Sequence, residues 1–211
     1  ADAQVRCARF AGPDKVEFLD RLDLEGSVLE ALDEVPRFIR RNTRLAARIQ
    51  GMRRQDLPEY PRVALREALV NAVAHTDYSL RGMRIQVAIY SDRLEIQNPG
   101  MLPFGMTLDS FRAGVSRIRN PVVARVLREL ELMEEWGSGY RRITEDCDRG
   151  GYPHPEWVEL GSVLRVVFQP HPEVAVLPEQ PVKGRLGNGR DQVSTKSALS
   201  GHQVQLLQYA Q

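Results

Sequence analysis

Little in this chain can act as a covalent or metallic staple. Its 211 residues include two cysteines, Cys7 and Cys147, and four histidines. That is too few for a disulfide scaffold or a zinc cluster, and two lone thiols fit the reducing cytoplasm. No apolar run approaches the length that crosses a bilayer, and no basic-then-apolar leader is visible, so no membrane partner is expected. An excess of either charge is also missing: 29 Lys and Arg face 28 Asp and Glu, a net +1. That excludes a chain that coats nucleic acid by overall charge alone. What is present is a globular composition. Hydrophobic residues make up 42%, which excludes an acidic, aromatic-poor disordered chain. The length can bury a core in one domain or one and a half. The chain opens Ala1-Asp2-Ala3 and stops where an amphipathic helix is expected to begin, at 200–211, so it reads as a piece of a longer protein.

Along the chain, residues 5–10 alternate like a strand and Gly12-Pro13-Asp14 is turn chemistry. Ser27 and Glu30 have the spacing of a capping box for a helix toward Arg41. Pro36 inside it predicts a kink or a break. Residues 44–52 read as a strand, with Leu45, Ala47 and Ile49 on one face, and 56–61 as an extended connector. Pro61 opens a helix over 63–75. Strands are expected at 83–90 and 94–97, joined as a hairpin by Ser91-Asp92-Arg93. Helices follow at 108–113, from Asn120-Pro121 to 132, and from Gly139 to Arg149, where Gly150-Gly151 stops the last. Two more strands, 157–160 and 163–169, flank Gly161-Ser162. Residues 171–198 have linker composition. The expected fold class is α+β, a two-layer sandwich with helices on one face of a mostly antiparallel sheet.

Three places could carry chemistry. Glu67, Asn71 and His75 are four apart and share one helix stripe. Asn has poor helix propensity and needs a reason to be there. The Glu could polarise a water, and the Asn amide oxygen could ligate Mg²⁺, which prefers oxygen. A solvated polar face would look the same. Asn98-Pro99-Gly100 ends a strand, where Asn98 can meet an amino group and Gly100 lets a flat ring approach. An ordinary turn would also use this tripeptide. Gly137-Ser138-Gly139 opens a helix whose N–H groups and dipole suit an anion, with Arg141 and Arg142 nearby. A plain interhelical loop needs glycine as well.

In this order the motifs resemble the Bergerat-fold (GHKL-type) ATP-binding domain of DNA gyrase, ninety-kilodalton heat-shock chaperones, mismatch-repair ATPases and histidine kinases. Glu67-Ala68-Leu69-Val70-Asn71 resembles the N box. Asn98-Pro99-Gly100-Met101-Leu102-Pro103 resembles the first glycine box, Gly137-Ser138-Gly139 the second, and Gly161-Ser162 the last. Closer still is a bacterial and archaeal subfamily labelled as RecG-related C-terminal regions or transcriptional regulators. Its signature is similar to Arg66 through His75 followed by Asp77-Tyr78, to Ser116 through Pro121, and to Glu134 through Gly139. The resemblance covers about 60–168. It divides the chain into the end of a Schlafen-type DNA-binding-related domain (1–59), the ATP-binding domain (60–170), a linker (171–198) and the start of a winged helix-turn-helix (199–211).

The resemblance implies that Asn71 holds Mg²⁺ against the phosphates of ATP and that Glu67 activates water. It implies that Asn98 faces adenine with Gly100 close to the base, and that Gly137, Ser138 and Gly139 cradle phosphate. Residues 104–120 would form a lid bringing Arg117 and Arg119 to phosphate. Asn98 stands where the superfamily usually has Asp, which keeps an acceptor but loses a charge. No Gly-x-x-x-x-Gly-Lys-Ser/Thr loop is present, so a helicase motor is not expected. The functional expectation is an ATP-binding, weakly ATP-hydrolysing domain of a transcriptional regulator, with DNA met through flanking domains. The alternative is a nucleotide-independent DNA-binding or homo-oligomerising module. It would use the basic bias of Arg37, Arg40, Arg41, Arg44, Arg48, Arg53 and Arg54.

Overall fold

The computed structural model describes residues 3–133 and 138–176. The expected helices at 199–211, most of the expected linker and Gly137 lie outside the described residues. Eight strands are present: β1 (Ala3–Phe10), β2 (Phe18–Gly26), β3 (Leu45–Gln50), β4 (Arg53–Pro58), β5 (Ile85–Ile89), β6 (Leu94–Pro99), β7 (Glu156–Leu160) and β8 (Val163–Phe168). The helices are α1 (Val28–Asn42), α2 (Arg62–His75), α3 (Leu108–Arg112), α4 (Pro121–Glu129), α5 (Gly139–Gly150) and the short α6 (Pro172–Ala175).

Six strands form one sheet in the order β2-β1-β5-β6-β8-β7, and β3 and β4 form a separate hairpin. All pairs in the large sheet are antiparallel except β1–β5. That parallel pair needs a long crossover, and β2, α1, the β3–β4 hairpin and α2 supply it. One face of the sheet buries Val5, Cys7, Ile85, Val87, Ile89, Leu94, Ile96 and Phe168 against α1, α2 and α5. The α+β sandwich expected from the sequence is therefore the observed one.

Residue 60 marks no break in this arrangement. Ala31, Val35 and Phe38 of α1 lie in the same core as Leu69 and Val73 of α2. The strand β2, unread in the sequence, lies at the sheet edge with much of its surface exposed. Its alternation hides in charged residues such as Asp20, Arg21 and Asp23. Residues 53–58 pair with β3 and are not a free connector. Pro36 does not break α1. It sits on the exposed side, where water can meet the carbonyl it leaves unpaired, while Ala31, Val35, Phe38 and Ile39 bury the other face. The chain also stays with the fold past residue 171. Val174 is fully buried, the His171 ring meets Tyr152 edge-on at 4.9 Å, and Glu173 pairs with Arg48.

The helix α2 runs through the middle of the helical layer and is buried on most sides. Small residues, Ala64, Ala68 and Ala72, let its neighbours come close. Pro61 gives it no side-chain cap. Instead Asp146 of α5 accepts from the Ala64 N–H at 3.0 Å, satisfying an orphan donor from across the interface.

Both cysteines are buried within this core. Burial pushes the Cys7 thiol up to about 12 and the Cys147 thiol up to about 11. The thiolate is the reactive form, so at pH 8 neither thiol should react quickly with an aromatic disulfide reagent. Both should react once guanidinium unfolds the chain. A fast equivalent in the native protein, read by absorbance, would contradict this packing.

Candidate functional site

One cavity, of about 90 Å³, lies between α2, the end of β6, the segment 101–117 and the start of α5. Glu67, Asn71 and His75 all line it, as the helical stripe requires. Asn98, Arg117, Ser138 and Gly139 line it too. Seven candidates, spread from residue 67 to residue 139, thus meet on one wall system. Gly100 and Arg119 do not line it, and Gly137 falls outside the described residues.

The close approach of α5 to α2 sets the polar end. A Cβ on Gly139 would stand 2.8 Å from Glu67 Oε1 and 2.9 Å from Asn71 Nδ2. Only glycine leaves those side chains where they are. Glu67 is 5% exposed, and Arg142, one turn along α5, reaches Glu67 Oε2 at 3.6 Å. Arg141 instead turns outward and pairs with Glu145. Ser138, Gly139 and Tyr140, at the start of α5, line this end.

Asn98 closes the other end. Its Nδ2 donates to the Pro99 carbonyl at 3.2 Å. Its Oδ1 remains an acceptor. Below it Ile96, Leu164 and Val166 give an apolar floor. His75 stands between the two ends. Burial, and then the Arg119 charge, lower its pKa, so at pH 7 it is a neutral ring with one donor and one acceptor.

The segment 104–120 closes over the cavity with groups the sequence reading missed. Phe111 of α3 packs against Trp157 at 5.4 Å and Tyr140 at 5.5 Å, and all three line the cavity. Trp157 anchors the segment 104–120 by this packing. Its signal was slight, because nothing in sequence connects residues 111, 140 and 157. Arg117 donates to the Phe104 carbonyl within the lid.

Arg119 has another task. Its Nη1 donates to Asp77 Oδ2 at 3.0 Å and its Nη2 to the Met101 carbonyl. Asp77 is held below the usual carboxylate range, by the Ser79 hydroxyl first and by Arg119 further down. Next to it Asn120 is the N-cap residue of α4, but its side chain makes no cap bond. Its Nδ2 donates to the Ala74 and Thr76 carbonyls at the end of α2. The lid's C-terminal end is thereby tied to α2 and to the turn after β6. Gly161-Ser162 serves the same turn, since the Ser162 carbonyl accepts from the Gly100 N–H at 2.7 Å.

This arrangement can be compared with known proteins. Residues 82–168 match a RecG C-terminal family. Its description reads "Putative ATP-dependent DNA helicase recG C-terminal". The match supports the RecG-related ATP-binding domain read from the motifs, and it begins after the stripe on α2. The fold is also similar to the crystal structure of the DIP2311 protein from Corynebacterium diphtheriae. The TM-score is 0.72 and the identity 26%, over 81% of this chain and 35% of that one. The chain therefore spans about a third of that relative. No curated protein matches. Among the described residues no helix is long and apolar enough to cross a membrane.

Gly100 makes the turn after β6 testable. Its φ is +98°, and a Cβ there would meet Arg119 Nη1 at 2.7 Å and the Asp77 Cβ at 2.9 Å. Gly100→Ala should lower unfolding stability by about 1–3 kcal/mol from backbone strain alone. Urea unfolding measures it, and a change within error would mean the turn relaxes freely.

Proposed function

We propose that this chain carries a Mg²⁺-dependent ATP-binding domain with weak ATPase capacity, part of a DNA-linked transcriptional regulator. The observation that carries the reading is the single cavity shared by Glu67, Asn71, Asn98, Ser138 and Gly139. The donor set fits the ligand. Among the described residues no three His, Cys, Asp or Glu side chains gather to hold a metal by themselves. A Mg²⁺ ion that keeps waters and leans on nucleotide phosphates needs only one or two protein oxygens, and the Asn71 amide offers one. The missing side chain at Gly139 brings the first turn of α5 onto Glu67 and Asn71, so a phosphate held by that turn would lie beside both. Bound Mg²⁺ would supply charge neutralisation on the phosphates.

Each residue then has a role. Asn98 Oδ1 accepts from the adenine amino group, and Ile96, Leu164 and Val166 take the ring face. Ser138 and Gly139 offer N–H groups to phosphate oxygens. Glu67 takes a proton from water. Its contact with Arg142 orients it. Entry of a nucleotide requires Phe111 to leave Tyr140 and Trp157, so the lid is the moving part. DNA recognition belongs to the flanking parts.

The arginines of the N-terminal third do not favour the nucleotide-independent reading. Arg37 pairs with Glu34, Arg41 with Asp20, Arg44 with Glu59, Arg48 with Glu173 and Arg54 with Asp56. Their charge is met by carboxylates close at hand.

Titration calorimetry with ATP and Mg²⁺ should give saturable binding. Asn71→Ala should weaken it about 10–100-fold, the worth of a lost charge-assisted contact. Glu67→Gln should keep binding and lower any turnover by about 10²–10⁴-fold. Full affinity in Asn71→Ala, or turnover unchanged in Glu67→Gln, would remove the corresponding role.

A further inference from the structure

A second cavity, of about 230 Å³, lies on the opposite side of α2 from the first, between α2, α1 and the base of the β3–β4 hairpin. Its floor is apolar and buried: Ile39 from α1, Leu65 and Leu69 from α2, with the ring of Tyr60 beside them. Its charged lining is of one sign. Arg40, Arg44, Arg62 and Arg66 contribute, and no Asp or Glu lines it. Arg44 is spent on the buried Glu59, whose Oε1 it meets at 2.7 Å. Arg40, Arg62 and Arg66 have no ion-pair partner among the described residues.

That is unlike the neighbouring arginines on the same elements. Arg37 and Arg41 of α1 and Arg48 of β3 each have a carboxylate. Unmatched charge is thus gathered at the mouth of the cavity. Arg62 and Arg66 are also four apart on one helix, a like-charge pair that weakens the helix unless something neutralises it. An apolar floor is the wrong surface for a nucleic-acid backbone, whose phosphates want solvated cations and polar donors. An apolar body with one anionic head satisfies both parts at once.

We infer that this cavity is a binding site for a small amphipathic anion. The apolar body lies on Ile39, Leu65 and Leu69, and its carboxylate or phosphate head meets Arg40, Arg62 and Arg66. The site is separate from the nucleotide cavity. The two share only α2, which turns Glu67 and Asn71 one way and Leu65 and Leu69 the other.

Octanoate, octyl phosphate and octanol are suitable probes, titrated into the full chain by calorimetry or by NMR. The expected result is saturable binding of one or both anions, with octanol at least about tenfold weaker. Comparing the two anions tells which head group is preferred. The double variant R62Q/R66Q, changed only at exposed side chains, should weaken the anions at least about tenfold and leave octanol unchanged. If that variant melts early, Arg40→Gln on α1 provides the same comparison. No saturable anion binding at about 10 mM, well above the millimolar range of a weak specific site, overturns the proposal. So does equal binding of octanol and the anions, or unchanged anion binding in both variants. Displacement of the anion by ATP with Mg²⁺ would place it in the first cavity. Displacement by a short duplex DNA would assign the arginines to nucleic acid. Either result also overturns the site. Because the probes need no nucleotide, failure here is distinct from failure of the ATP-binding reading.

Discussion

A hydrogen on Gly139, where other residues carry a side chain, lets the first turn of α5 lie directly on Glu67 and Asn71. Several features follow from that contact. With α5 this close, Asp146 reaches the N–H of Ala64 and caps α2, which has no cap of its own. Ile143 and Cys147 of α5 then face inward and are fully buried. Arg142 comes within reach of Glu67. Were α5 set further out, the stripe on α2 would be a wet polar face and Glu67 would have no neighbour of opposite charge. The alanines at 64, 68 and 72 are the matching half of the constraint. They remove bulk from α2 along the side that α5 must meet.

The other half of the site rests on how the chain leaves β6. Gly100 takes a positive φ, and its N–H is held by Ser162, while Asp77 donates its own N–H to the Pro99 carbonyl. Arg119 then spans Asp77 and the Met101 carbonyl. The end of the lid, the end of α2 and the turn after β6 are thereby one unit. The middle of the lid is held differently, by ring contacts of Phe111 with two side chains. Ring contacts can be exchanged for contacts with a ligand, whereas a bifurcated arginine with a carboxylate partner is harder to release. The end of the segment 104–120 is held by a carboxylate-backed arginine, and its middle by ring contacts of Phe111.

The parts legible in the sequence were those with local signals. The stripe on α2, the hairpin of β5 and β6, the cap and stop glycines of α5 and the strands around Gly161 all carry their information within a few residues. The polar groups of the cavity were legible for the same reason, since each sat in a short motif. What could not be read depended on distant partners. Arg119 read as a phosphate contact, and its tie to Asp77, forty-two residues earlier, had no local signal. Asn120 looked like a helix cap, but its amide serves carbonyls of α2. Pro36 looked like a break because propensity alone opposes it there. A fully buried Val35 and Phe38 on the other face outweigh that cost. The aromatic group of Phe111, Tyr140 and Trp157 exists only after the lid, α5 and β7 are in place.

The same distinction governs charge. Counted along the chain, the arginines between 37 and 54 form a basic run, and a basic run suggests a polyanion. Counted in space, most of that run is already neutralised: Asp20 comes from β2, Glu59 from the entry to α2 and Glu173 from α6. These partners lie up to 125 residues away in sequence, so no window of the chain contains both members of the pair. Exposed pairs of this kind add little stability, but they cancel the local field that would steer a nucleic acid. Among the described residues much of the basic charge between 37 and 54 is thus cancelled locally. Where cancellation fails, as at Arg40, Arg62 and Arg66, the excess lies beside an apolar hollow and not along an open surface.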